Sequence, residues 1–249
     1  MKIRAVTVDL WGTLLFDPPS SDNRYKRRRM ADFETILSGI GVSVSAGALD
    51  RAYEVSGSFL GRVWAEDRDV PVVEHVRAIL AAVDRGLPAR MPADAMTALI
   101  DAYARPVLLV PPAVDAGARP ALEQLRTQGF ALAVLSNTMR TPGTTLRKLL
   151  EQFGLLACFA HTTFSDEVRV RKPAAEIFAL TLRALGVPAE AAVHVGDDPV
   201  LDVYGARVAG MRVVQVTRAA PETLGARRPD AVVPTLAGLP DAIARLDGA

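Results

Sequence analysis

The chain has 249 residues, 50% of them hydrophobic, with 29 basic against 28 acidic residues and a formal net charge of +1. That much apolar side chain supplies a core and excludes a disordered chain, while the even charge balance excludes a general nucleic-acid or membrane-surface binder. A single cysteine, Cys158, excludes an intrachain disulfide and any multi-thiolate zinc site.

Residues 3–9 predict a buried strand, apolar and β-branched, ended by Gly12 and Thr13. No strand signal follows for a long stretch. Between residues 22 and 104 the apolar spacing is helical, with helices predicted over 25–40, 48–64, 72–83 and 93–103. Past that point helices and strands alternate. Helix 114–128 leads into strand 130–135, helix 145–153 into a weak strand at 160–164, and helix 174–185 into strand 192–195. Helix 201–209, strand 212–216, a short strand at 231–233 and helix 236–246 follow. Strands separated by such helices imply right-handed crossovers and a parallel sheet. The predicted fold class is α/β: a doubly wound, parallel, Rossmann-like core interrupted after its first strand by an all-helical cap. The core is placed at 1–16 and 108–249, and the cap at 17–107. The N-terminal apolar run is too short for a signal peptide, and no run approaches the roughly 20 apolar residues of a membrane span. A soluble, cytoplasmic protein, monomer or homodimer, is expected.

In a sheet of this kind, function gathers beyond the C-terminal ends of the strands. Those ends carry Asp9, then Ser136 and Asn137, then Gly196, Asp197 and Asp198. Lys172, one of four lysines, is expected to open a helix with Pro173 in its first turn, and Asp202 falls one turn beyond Asp197. The sheet would bring three or four carboxylates beside one lysine. Such crowding is costly unless a cation offsets it, and oxygen ligands favour Mg²⁺. A carboxylate beside Mg²⁺, a hydroxyl and a lysine suits phosphoryl transfer, where positioning and charge neutralisation do most of the work.

The order of these residues resembles the haloacid dehalogenase superfamily. Val8-Asp9-Leu10-Trp11-Gly12-Thr13-Leu14 is similar to its first motif, Val134-Leu135-Ser136-Asn137 to its second, and Arg171-Lys172-Pro173 to its third. His194-Val195-Gly196-Asp197-Asp198, with Asp202 and then Gly205-Ala206, is similar to its fourth. A helical insertion between the first two motifs resembles the superfamily's C1-type cap. The resemblance implies that Asp9 attacks the substrate and forms a covalent aspartyl intermediate. It implies that Ser136 and Lys172 bind the transferring group, and that Asp9, the Trp11 carbonyl and Asp197 hold Mg²⁺. Asp202 would orient the site or Lys172, and Asp198 would be an outer metal ligand or a helix cap. Gly12, Thr13 and Asn137 would line the substrate site with Trp11.

One position departs from the family pattern. The usual phosphatase carries a second aspartate two residues after the nucleophile, as general acid and base. Here that residue is Trp11, whose indole does no such work near neutral pH. Losing that group typically costs about 10² to 10⁴ in rate. Four readings stay open: a phosphatase acting on a good leaving group such as an acyl phosphate; a phosphatase whose acid lies elsewhere, with Asp17 a candidate; a 2-haloacid dehalogenase, which expels halide; and a weakly active protein that binds a phosphorylated ligand. The first two make the expected substrate a small phosphorylated metabolite. The run Lys26-Arg27-Arg28-Arg29 reads as a solvated helix face, or as a lure for an anionic substrate. His75 and Trp64 read as packing, and His194 as a satisfied core residue.

Overall fold

A computed structural model describes residues 2–17, 21–217 and 228–248. The chain opens with β1 (Ala5–Val8) and the two-residue β2 (Leu15–Phe16). It then runs through α1 (Ser21–Gly39), α2 (Ala46–Trp64), α3 (Val72–Val83), the short α4 (Leu87–Arg90), α5 (Ala93–Ala104) and the short α6 (Pro106–Leu109). The chain returns at β3 (Ala113–Val114) and alternates through α7 (Ala118–Thr127), β4 (Ala131–Ser136), α8 (Gly143–Gln152) and β5 (His161–Phe164). Next come the single turn α9 (Ser165–Val168), α10 (Ala175–Leu185), β6 (Ala192–Gly196), and a π-helical stretch over Pro199–Tyr204 that continues into α11 (Gly205–Val208). The last described elements are β7 (Arg212–Val216), β8 (Ala231–Val233) and α12 (Leu239–Asp247).

Among the described residues, six strands form one parallel sheet in the order β5-β4-β1-β6-β7-β8, the doubly wound topology expected. Val8 stands opposite both Val134 and Val195, so the residues that follow β1, β4 and β6 emerge at one sheet edge. The alternation of side chains sorts the sheet's two faces. Val6, Val8, Val134, Val193, Val195 and Val214 pack with α7, α8 and α12 through residues such as Leu122, Leu146 and Ile243. Ala5, Leu135 and Val213 face the other way, onto Ile177, Phe178 and Val203. The helical insertion has a separate core, built around Phe33, Leu37, Leu49, Ile79, Leu80, Leu99 and Tyr103. β2 and β3 pair antiparallel, which ties the point where the chain leaves the sheet to the point where it returns. No helix among the described residues is long and apolar enough to cross a membrane.

Three sequence expectations need correction. The helix expected over 114–128 begins only at Ala118, because Val114 pairs with Leu15 and the Asp115 carboxylate accepts the Gly117 N–H in a tight turn. The helix expected from 201 begins at Pro199 and runs first as a π-helix. Lys172 does not open a helix: α10 starts at Ala175, and Lys172–Pro173 is a cis peptide in the preceding turn.

Candidate active site

Asp9 follows β1, with its backbone N–H held by the Val195 carbonyl and its side chain almost fully buried. The chain then folds back on itself, since the Leu14 and Leu15 N–H groups both donate to the Leu10 carbonyl. Gly12 makes this turn at φ +78°, and a Cβ there would fall 2.4 Å from Asp197 Oδ2. The nucleophile loop therefore lies against Asp197, whose Oδ1 accepts from the Thr13 hydroxyl at 3.4 Å. Gly196 serves a similar purpose at the end of β6, where a Cβ would collide with Asp202. Oxygens of Asp9, Asp197 and Asp202 all lie within 4.8 Å of one another.

Lys172 ties the group together. Its ammonium donates to Asp9 Oδ1 at 2.6 Å and to Asp202 Oδ1 at 2.5 Å. Burial opposes the ammonium, yet the two carboxylates outweigh it and hold the Lys172 pKa above the ordinary lysine value. Burial likewise opposes the charge on Asp202, but Lys172 and His194 keep it below the usual carboxylate range. Asp9 goes the other way, pushed up to about 7, first by burial and then by the Asp202 charge despite Lys172. Asp197 is raised to about 6 by burial and by Asp202. One ammonium thus serves three carboxylates, and Asp9 and Asp197 bear the surplus.

His194 extends the site one residue deeper into the sheet. It is a satisfied core residue, and its satisfaction reaches the site: Nε2 donates to Asp202 Oδ1 at 2.9 Å while Nδ1 accepts from the Thr7 hydroxyl at 2.8 Å. This tautomer fits an imidazole whose pKa burial has lowered. Asn137, expected at the substrate site, bonds to the backbone of Lys172. Its Oδ1 accepts the Lys172 N–H at 2.8 Å and its amide donates to the Lys172 carbonyl at 3.0 Å, so it fixes the turn that carries the lysine. Asp198 is a helix cap, accepting the Val200 and Leu201 N–H groups at 2.7 and 2.8 Å, and it stands outside the carboxylate group. Ser136 is buried at the end of β4, and its hydroxyl reaches the Asn137 carbonyl at 3.4 Å.

A cleft of about 470 Å³ opens between sheet edge and insertion, lined by Trp11, Gly12, Asp17, Arg29, Tyr53 and Arg140 among others. Asp17, a candidate acid in the sequence, sits there and accepts from the Tyr25 hydroxyl at 3.4 Å. The basic run of α1 divides instead of forming one face. Arg28 bonds to Asp32 at the surface, Lys26 pairs with Glu54, and Arg29 is buried. A second buried group, which no motif announced, joins the insertion to the core. Asp69 Oδ2 accepts from Arg171 at 3.0 Å and from the Ser165 hydroxyl at 2.5 Å, and Trp64 donates to Oδ1 at 3.1 Å. The only sequence signal for it was the position of Arg171 next to Lys172.

The sequence profile of the haloacid dehalogenase-like hydrolases matches residues 3–210. The chain belongs to this family. Among curated relatives of this hydrolase, a phosphoserine phosphatase of Thermus thermophilus is 42% identical over 97 residues, 39% of this chain and 38% of that protein. A glyceraldehyde 3-phosphate phosphatase of Methanopyrus kandleri is 35% identical over 45% of this chain and 47% of its own length. The chain thus spans less than half the length of these first relatives. A ribulose-1,5-bisphosphate 5-phosphatase of Halopiger xanaduensis matches more broadly, at 30% identity over 80% of this chain and 90% of that protein. Among solved structures, a 2-haloacid dehalogenase from Pseudomonas syringae pv. Tomato superposes with a TM-score of 0.70 at 25% identity, covering 98% of this chain and 99% of that one.

Proposed function

We propose that this hydrolase is a Mg²⁺-dependent phosphatase acting on a small phosphorylated molecule, with Asp9 as nucleophile. The observation that carries the reading is the single ammonium of Lys172 set against the clustered carboxylates of Asp9, Asp197 and Asp202. Such a donor set, all oxygen and short of positive charge, fits a hard divalent cation. Asp9, Asp197 and the Trp11 carbonyl would hold it, while Asp202 stays committed to Lys172 and His194. When bound, Mg²⁺ supplies the charge that neutralises the phosphoryl oxygens and these carboxylates.

The protein's own groups divide the remaining work. An Asp9 carboxylate oxygen forms the new bond to phosphorus as the bond to the leaving oxygen breaks. Lys172, with Ser136, binds the transferring group, and Asn137 and Asp202 hold Lys172 in place. Water then attacks phosphorus, releasing phosphate and restoring the Asp9 carboxylate. Trp11 gives no proton to the leaving oxygen, so leaving groups that depart as stable anions are favoured. The insertion over residues 17–107, a cap of the C1 type, covers the cleft and selects the substrate.

Trp11 also favours a second reading, a C–halogen hydrolase, because halide departs without a proton. Against it stands Asp197, a carboxylate that would repel the carboxylate of a haloacid. Both readings are tested by one set of assays on acetyl phosphate, p-nitrophenyl phosphate and 2-chloropropionate. Phosphate release that requires Mg²⁺, stops with chelator and is lost in Asp9→Asn is the expected result. Halide release that survives the chelator, with no phosphate release, would overturn it.

A further inference from the structure

The cleft is lined by two guanidinium groups, Arg29 and Arg140, that form no ion pair among the described residues, although Asp17, Asp22 and Glu54 line it too. Arg29, on α1, is 3% exposed. It donates to the Tyr103 carbonyl at 2.7 Å, the Tyr53 hydroxyl at 3.0 Å and the Arg140 carbonyl at 2.9 Å. Arg140 lies on the loop after β4, four residues beyond Ser136. It donates to the hydroxyls of Ser56 and Tyr103 at 3.2 and 3.0 Å and stacks 3.9 Å over the Tyr53 ring. Every one of these partners is neutral. Among the described residues, neither arginine has a carboxylate within 4.0 Å. Glu54, which feels the Arg140 charge, is itself bound to Lys26 at 2.6 Å. Asp22, also on the cleft, is exposed at its mouth. Burying charge without a counter-charge is unfavourable, and here a buried guanidinium, Arg29, is kept beside a half-buried one, Arg140. The same field reaches His75, whose charged form is opposed first by burial and then by Arg140 and Arg29.

Trp11 Nε1, on the nucleophile loop at the same cleft, is buried with no hydrogen-bond partner among the described residues. The two guanidinium groups offer donors and positive charge where an acceptor-rich group would fit. Its distance from the reaction is bounded by the chain: four residues from Ser136 to Arg140 span at most about 14 Å. A molecule of metabolite size covers that gap.

We infer that the substrate is a small phosphorylated molecule bearing a second anionic group, a carboxylate or second phosphate, which seats against Arg29 and Arg140. The inference rests on the phosphatase reading for the reacting end only; the tail is read from the cleft wall. Arg29 also braces α1 against α5, so its loss risks the fold, and Arg140→Gln is the variant of choice.

The test is isothermal titration of the full chain, with Mg²⁺ present, against three non-hydrolysable phosphonates: propylphosphonate, 3-phosphonopropanoate and propane bisphosphonate. The two anionic-tailed compounds are expected to bind about tenfold tighter or better, as a charge-assisted contact supplies. Arg140→Gln should bring that ratio close to one. The tighter of the two tails names the source of the second anion. Equal affinities in the unaltered protein, no binding of any of the three, or an unchanged ratio in Arg140→Gln would each overturn the inference. If the affinity order holds while the matching phosphate esters release no phosphate, the phosphatase reading fails and the anion subsite stands.

Discussion

Lys172 is the residue on which most of the site's electrostatics converge. Replacing it by Met leaves Asp9 and Asp202 facing each other without a cation, and breaking a buried pair from one side typically costs about 3–5 kcal/mol. Lys172→Met is thus expected to lose activity and that much stability together, read from phosphate release and denaturant unfolding; an unchanged midpoint would contradict the pairing. Gly12→Ala is expected to fail differently. At φ +78° with a Cβ 2.4 Å from Asp197, the strain of about 1–3 kcal/mol falls on the contact between the nucleophile loop and the proposed ligand. Mg²⁺ affinity, measured by titration calorimetry, should drop along with the melting temperature. Asp9, Lys172 and Asp197 were legible in the sequence because each follows a strand or carries a motif, and a parallel sheet gathers strand ends without further instruction. His194, Asp69 and Arg140 were not legible in their roles. Their partners, such as Thr7 for His194 and Arg171 for Asp69, are set by tertiary packing across 187 and 102 positions of chain, and no local pattern records that.

Elements with strong periodicity were found where expected, α3 among them, spanning Val72–Val83 as the spacing predicted. The misread segments are those where a side chain captures backbone groups. Asp115 turns the chain ahead of α7, Asn137 holds both backbone groups of Lys172, and Asp198 caps the π-helical stretch. Apolar spacing cannot report such captures, because the deciding contacts are polar and local. Asp198 gives this point a clear experimental form. As a cap, its replacement by Ala should cost about 1 kcal/mol of stability. Mg²⁺ affinity should fall by less than the roughly tenfold seen when a partner of a metal ligand is removed. Asp197→Ala should do the reverse, sparing the fold and removing most of the Mg²⁺ affinity. Calorimetric titration of both variants checks the assignment.

At the scale of the whole molecule, sheet and insertion have separate cores joined by buried polar contacts, of which the Asp69 group is the most elaborate. The insertion also carries its own sensitivity to acid. His75 is buried against the Tyr103 hydroxyl, and burial together with the nearby arginines lowers its pKa to about 3. The unfolded chain takes up that proton as pH falls through 6.5, while the folded chain stays neutral until about 3. Stability from this group is therefore complete above 6.5 and declines by up to about 1.4 kcal/mol per pH unit below it. His75→Phe should flatten the acid limb of a melting-temperature profile relative to the unaltered protein. Parallel profiles would show that His75 plays no part.

The pairing of β2 with β3 has a consequence for how such a protein can diversify. Leu15 stands opposite Val114 and Phe16 opposite Ala113, so the whole helical insertion is a loop whose two ends are already fastened side by side. The entropy of closing a loop grows only with the logarithm of its length, about 0.6 kcal/mol for each doubling. Lengthening or shortening the insertion away from Asp69, Trp64 and Arg29, which bond to the core or to the group that does, therefore leaves the sheet and its strand-end residues almost undisturbed. The proposed nucleophile loop and the helical insertion thus lie on stretches of chain that can change at different rates.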